Sequence, residues 1–246
     1  MWNQENQKND VEGAGERLLY PTMLEPVELR WAFIRKVYSI VAIQLLATIA
    51  VAATVVTVRP IAYFIVSTWA GLAVYIVIIL MACITICLLA CYHQKHPVNY
   101  LLLGVFTVSV AFAVGLTCAF SFTSGKVILE AVILTAVVVV ALTLYTFWAA
   151  RRGHSFNILF AFLLGVILVL LVFSLIQIFY PLGRLSVMIY GCLASIIFCG
   201  YIIFDTVDLI KRYSYDEYIW AAISLYLDII NLFLRLLTIL KALNRD

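Results

Sequence analysis

Hydrophobic positions in this chain come in long unbroken runs, parted by short polar breaks. Seven runs stand out: Val37–Val58, Trp69–Tyr92, Tyr100–Phe122, Val127–Ala150, Phe156–Tyr180, Leu185–Ile210 and Tyr218–Leu240. Each covers about 20–26 residues, enough as a helix to cross a hydrocarbon core of ~30 Å. The breaks hold the punctuation: Arg59-Pro60, His93 to Pro97, Ser124-Gly125-Lys126, Arg151 to His154, Pro181 to Arg184, and Lys211 to Glu217. No proline falls inside a run. Backbone in lipid must satisfy its own hydrogen bonds, so each run is predicted to be a helix. A barrel would show short alternating segments instead. The expected fold is an all-α membrane protein with seven transmembrane helices. Ile61–Thr68 is apolar too. It either extends the second helix or lies as a short interfacial turn after Pro60.

Composition agrees with this pattern. Of 246 residues, 65% are hydrophobic and 12% charged, against ~25% charged in a soluble domain. Too few polar residues remain to cover a soluble globule. Two parts are expected: a polar cytosolic tail with an interfacial lead-in (residues 1–36) and one transmembrane domain (37–246). The first apolar run follows a polar segment and is too long for a signal-peptide core, so it reads as an uncleaved span. With the N-terminus in the cytosol, the inner segments carry Lys8, Arg17, Arg30, Arg35, Lys36, Lys95, Arg151, Arg152, Lys211 and Arg212. The outer loops then carry only Arg59, Lys126 and Arg184, which fits the positive-inside rule. The side of the C-terminus depends on whether the last run crosses fully. No basic cluster is dense enough for nucleic acid. Cys83, Cys87, Cys91, Cys118, Cys192 and Cys199 all lie in apolar runs and are read as free thiols. Cys83, Cys87 and Cys91 share one helix stripe and read as small packing residues ahead of a soft-metal site.

The candidate chemistry lies in the polar residues inside the runs. Asp205 and Asp228 each sit in hydrocarbon, where a carboxylate costs at least ~2.5 kcal/mol. Such a group needs a partner, water or a shared proton. The two runs are antiparallel and joined by a short polar segment, so the carboxyls can reach similar depth. At hydrogen-bonding distance they cannot easily both ionise, and they would share a proton. The bland alternative is that each Asp bonds backbone of its own helix. Asp208 has Lys211 and Arg212 at helical spacing and reads as a boundary ion pair. Asn231 can hydrogen-bond across helices. Arg235 either snorkels outward or faces the bundle as a counter-charge. Glu130, in the first turn of the fourth run, is either settled by the helix dipole or an acidic entrance for cations. His93, His96 and His154 fall in predicted cytosolic loops.

Several segments carry a resemblance. Val27-Glu28-Leu29-Arg30 with Phe33-Ile34-Arg35-Lys36-Val37-Tyr38, leading to Gln44-Leu45-Leu46, is similar to the entry signature of the transmembrane Bax inhibitor motif family. Phe204-Asp205-Thr206, Asp216-Glu217-Tyr218-Ile219 and Leu225-Tyr226-Leu227-Asp228-Ile229-Ile230-Asn231-Leu232-Phe233 resemble its most specific block. His96-Pro97-Val98-Asn99-Tyr100 and Leu129-Glu130-Ala131 match as well. The chain resembles a plant-type Lifeguard member over nearly its whole length after the tail. That resemblance implies seven helices with the seventh at the centre. It also implies a pH-sensitive calcium leak from an internal store and suppression of programmed cell death. Asp205 and Asp228 would be the pH-sensing gate and line the Ca2+ path. Bacterial relatives place an arginine latch at the end of the second helix. Here His93 stands there with Lys95 close by, which implies a weaker or differently tuned closure. Val207 replaces the usual Gln, and Asp208 adds an acid near the pair.

Taken together, these features predict a non-enzymatic channel in an endoplasmic reticulum, Golgi or other endomembrane. Its partners are the bilayer, H+ and permeant Ca2+, without a bound cofactor. The alternative is a non-conducting membrane regulator that binds cell-death or receptor proteins. An intramembrane aspartyl protease is disfavoured, because neither Asp has a Gly-rich context. A G-protein-coupled receptor is disfavoured too, because the third run lacks an Asp/Glu-Arg-Tyr end and the seventh lacks Asn-Pro.

Overall fold

The computed structural model describes residues 27–92, 97–120, 125–152, 157–179 and 183–244. The polar tail before Val27, and His93, Lys95, His96 and His154, lie outside the described residues. In chain order the helices are α1 (Val27–Thr57), α2 (Arg59–Ser67), α3 (Trp69–Tyr92) and α4 (Val98–Phe120). There follow α5 (Gly125–Arg151), α6 (Asn157–Phe179), α7 (Arg184–Lys211), a 3-10 turn (Tyr215–Glu217) and α8 (Tyr218–Leu243). Among the described residues six helices are long and apolar enough to cross a membrane: α1, α3, α4, α5, α7 and α8. In α6 the corresponding described stretch, Phe162–Ile176, is shorter. The protein is an integral, multi-pass membrane protein.

Two boundaries differ from the sequence reading. The segment Val27–Lys36, read as a lead-in to the first helix, is helical itself and forms the first turns of α1. Its apolar members Phe33 and Ile34 are buried while Arg35 and Lys36 are exposed, so it is amphipathic helix entering the bundle. Ile61–Thr68 becomes the body of α2, a helix of its own. Pro60 sits at its start, where the missing N–H costs nothing, and Thr68 breaks it with extended backbone (φ −123°, ψ 142°).

The surface is made of large apolar side chains, among them Ile43, Val77, Val137, Leu144, Val169 and Ile196. In water such a surface would aggregate; in lipid it is solvated. α3 is the clearest lipid-facing helix, with only Gly71, Thr85 and Leu89 buried. Its Cys83, Cys87 and Cys91 all face outward, whereas Cys118 on α4 is buried. Span hydroxyls are settled locally by donating to the carbonyl one turn back. Thr85 bonds Met81 (2.8 Å), Thr135 bonds Ala131 (2.7 Å) and Ser195 bonds Gly191 (2.8 Å).

The core gathers where α8 meets its neighbours. α8 packs against α1, α4, α5 and α7. Its buried residues include Leu225, Tyr226, Ile229, Ile230, Leu232 and Phe233, which cover several sides of the helix. Interhelical polar contacts pin it. Thr48 and Tyr226 share a buried hydroxyl–hydroxyl bond of 2.8 Å, and Asn99 donates to the Tyr218 hydroxyl at 3.3 Å. The Lys36 ammonium lies 3.2 Å from the centre of the Tyr218 ring, a cation–π contact between α1 and α8. Between α1 and α4, Gln44 donates to Thr107 at 3.0 Å.

Close approach of α1 and α4 depends on Gly115. A Cβ there would lie 2.9 Å from the Ala52 Cα and 3.0 Å from Val55 Cβ. Small residues at such crossings let backbones touch. Gly115→Val is expected to cost ~1–3 kcal/mol by overpacking, measured as a lower thermal midpoint in detergent. An unchanged midpoint would mean that the α1–α4 crossing is loose.

Candidate functional site

α7 and α8 form an antiparallel hairpin whose register is visible far from the turn. Arg184 at the start of α7 donates to the Leu243 carbonyl at the end of α8 (3.3 Å). Gly191 sits against Ile239, where a Cβ would approach its Cγ1 to 2.8 Å. Continuing that register brings Asp205 opposite Ser224 and Asp228. The side chains of Asp205 and Asp228 are hydrogen-bonded to each other, and Asp205 is also bonded to Ser224. Asp205 is buried and Asp228 half-buried, with its Oδ2 enclosed and without a hydrogen-bond partner among the described residues. Two carboxyls this close in apolar surroundings repel each other when both are charged.

The surroundings of the pair are tyrosine and hydroxyl groups. Tyr201, one turn before Asp205, lies within electrostatic reach of both carboxyls. The Tyr38 hydroxyl of α1 meets Thr206, the neighbour of Asp205, at 3.5 Å. Tyr213, in the hinge between α7 and α8, hydrogen-bonds Ser224 through its hydroxyl. Burial first, then the charges of Asp205 and Asp208, push the Tyr213 hydroxyl up to about 12. The hinge is held from outside the hairpin. Arg30 of α1 donates from Nε to the Ile210 carbonyl (2.8 Å) and from Nη1 to the Tyr213 carbonyl (2.6 Å). The last carbonyls of a helix have no partner within it, and here a guanidinium from the first turn of α1 supplies one.

The other expected residues are more scattered. Asp208 faces Arg212 one turn on, with Nε 3.4 Å from Oδ1, which is the boundary ion pair its spacing suggested. Asn231 does not reach another helix; it donates to the Leu227 carbonyl of its own (2.9 Å). Arg235 lies over the Tyr190 ring of α7, 5.2 Å from its centre, so of its two alternatives it turns toward the bundle, against an aromatic ring. Glu130 is exposed and sits in the second turn of α5, because the helix begins at Gly125. His93 and Lys95 lie outside the described residues. Among the described residues no three or more His, Cys, Asp or Glu side chains gather to hold a metal ion. Sequence reasoning missed Arg30, Tyr213 and Ser224 as parts of the site. Arg30 and Tyr213 are 183 residues apart, and no local spacing reveals such a contact.

Comparison with known proteins places this arrangement. A family profile described as "Inhibitor of apoptosis-promoting Bax1" matches residues 30–245. The chain is 72% identical to Protein LIFEGUARD 4 of Arabidopsis thaliana over 244 residues, 98% of each chain. It is 35% identical to Protein lifeguard 4 of Mus musculus, covering 89% of this chain and 88% of that one. It is 36% identical to the Golgi anti-apoptotic protein of Vaccinia virus (strain Lister), covering 89% of each. From the hinge-bound Arg30 to the end of α8 the match is continuous, and the chain belongs to the Bax inhibitor family as a plant-type Lifeguard protein.

Proposed function

We propose that this protein is a pH-sensitive calcium leak of an internal membrane that suppresses programmed cell death, with Asp205 and Asp228 as gate and sensor. The observation that carries the reading is the hydrogen bond between those two carboxyls inside apolar helices. A pair that shares a proton is closed by it. Loss of the proton leaves like charges in contact and a site attractive to cations. The enclosed Oδ2 of Asp228 has acceptor capacity that no group among the described residues uses. A resident Ca2+ takes about 6–8 oxygens, more than two carboxyls offer, so calcium enters as cargo rather than as a bound cofactor. The suppression of cell death follows the description of the family, inhibitor of apoptosis-promoting Bax1, and the name of one relative, the Golgi anti-apoptotic protein.

In this reading the bundle crosses the membrane seven times, α6 included, with α8 at its centre. The N-terminus faces the cytosol, as the Lys/Arg bias favours, and the α7–α8 hinge lies on the same side. The membrane is an endoplasmic reticulum, Golgi or related one. Glu130 on the opposite side is an exposed acid that can gather cations near the mouth.

The test is calcium efflux from proteoliposomes across about pH 5–8, wild type beside Asp205→Asn/Asp228→Asn. The expected result is flux that varies with pH in the wild type and is flat in the double variant. Folded wild-type protein without any flux would overturn the leak and leave a non-conducting regulator.

A further inference from the structure

We propose that Arg30 and Tyr213 form a strap that ties the first turn of α1 to the α7–α8 hinge and keeps the aspartate pair closed. They are positioning residues: neither touches the ion path, and both act through Ser224 on Asp205. The inference rests on the leak reading above and adds the part of the molecule that holds the gate shut.

The links are continuous. Arg30 binds the Ile210 carbonyl at the end of α7 and the Tyr213 carbonyl in the hinge, at 2.8 and 2.6 Å. Tyr213 is thereby held by its backbone, while its hydroxyl bonds Ser224 on α8. Ser224 in turn bonds Asp205, which bonds Asp228. When the Ser224 hydroxyl donates to the Asp205 carboxyl, its oxygen is free to accept from Tyr213. One proton orientation therefore satisfies the whole chain. Tyr213 is a fixed support rather than a sensor, because its hydroxyl loses its proton only near about 12. It stays a donor throughout the range in which carboxyls titrate.

Two features separate this strap from an ordinary helix cap. Lys211 and Arg212 stand at the end of α7 and are the local residues that could cap it. The guanidinium comes instead from a helix 180 positions earlier in the chain. The same face of α1 also grips the far side of the hinge: Phe33 meets the Tyr215 ring edge-on at 5.7 Å, and Lys36 covers Tyr218. The start of α1 thus spans both ends of the hinge, and a shift of α1 pulls on the residue that contacts Ser224. Besides Arg30 on its carbonyl, the charged groups that act on the Tyr213 hydroxyl are Asp205, Asp208 and Glu217. Asp208 is engaged by Arg212 and Glu217 by the Ser214 backbone N–H.

The experiment uses the full chain in proteoliposomes, with calcium efflux at one fixed pH and hydrogen exchange of the hinge amides. The variants are Arg30→Gln, Arg30→Lys, Tyr213→Phe and Arg30→Gln/Tyr213→Phe. Arg30→Gln and Tyr213→Phe are each expected to raise efflux several-fold. The double variant should do no more than the larger single one, since both cut the same chain. Arg30→Lys should restore part of the closure, and hinge amides should exchange faster in Arg30→Gln. If Arg30→Gln does not fold, Tyr213→Phe carries the test, because it keeps the ring and removes only the hydroxyl. Wild-type efflux in both single variants, with the aspartate double variant still flat in pH, would overturn the strap and leave the leak reading intact. If no protein conducts, the leak reading fails. Hinge exchange then decides the strap: unchanged rates in Arg30→Gln overturn it and faster rates support it.

Discussion

Asp228→Lys is expected to abolish calcium efflux at every pH. In the leak reading proposed above, the substitution replaces the proton shared by the two carboxyls with a fixed ammonium opposite Asp205. Opposite unit charges ~4 Å apart attract by about 4 kcal/mol at an effective dielectric of 20. If that attraction acts only in the closed state, it biases closure by roughly 10³-fold, at about 1.4 kcal/mol per factor of ten. The pair then has no proton to lose over the physiological range, so pH no longer acts on it. The ammonium also places positive charge where a divalent cation would pass. The control is Asp205→Asn in the same background, which removes the partner and should return part of the flux. Efflux from Asp228→Lys that keeps the wild-type pH profile would mean that ions pass elsewhere.

Tyr226→Ala is expected to be the most destabilising single substitution at the heart of the bundle. Tyr226 is 0% exposed, and Phe106 meets its ring edge-on with centroids 6.3 Å apart. Truncating a buried aromatic costs ~3–5 kcal/mol through lost contacts and the cavity left behind. Tyr226→Phe isolates the bond to Thr48, and such bonds inside membranes average only ~0.6 kcal/mol. Thermal unfolding in detergent should therefore separate the two variants widely. Similar midpoints would mean that the helices around α8 collapse to fill the gap.

The spans were legible because lipid leaves a backbone one choice. Trp69–Tyr92 is the same segment by apolar pattern and by structure: the Ser67-Thr68 pair stands before it and the polar run from His93 to Pro97 follows it. The start of α1 was not legible as a span end, since amphipathic helix outside the hydrocarbon follows no long apolar run. The two carboxyls stood out as charges in apolar sequence, and Asp208 with Arg212 could be read from helical spacing alone. The contact between Asp205 and Asp228 needed the hairpin register, which the sequence only allowed. Asn231 shows what spacing leaves open: a polar side chain in a helix can satisfy itself on its own backbone without crossing to another helix. Arg235 turns instead to an aromatic ring of α7. Arg30 read as an interfacial basic residue of the positive-inside kind. Nothing in its neighbourhood says that its partners lie beyond residue 209.

The tight hinge between α7 and α8 also sets the leverage of any motion. Asp205 lies six residues from the end of α7 and Asp228 ten from the start of α8. At 1.5 Å per residue these are arms of about 9 and 15 Å, whereas the far ends near Arg184 and Leu243 are about 40 Å out. A rocking of about 10° at the hinge separates the carboxyls by only ~2 Å, enough to break their bond, but swings the far ends apart by ~7 Å. In the leak reading the hairpin would work as tweezers, and opening it would first break the Arg184–Leu243 contact at the far end. The carboxyl pair would sit near the pivot, where a small chemical change suffices, with the wide displacement at the far ends.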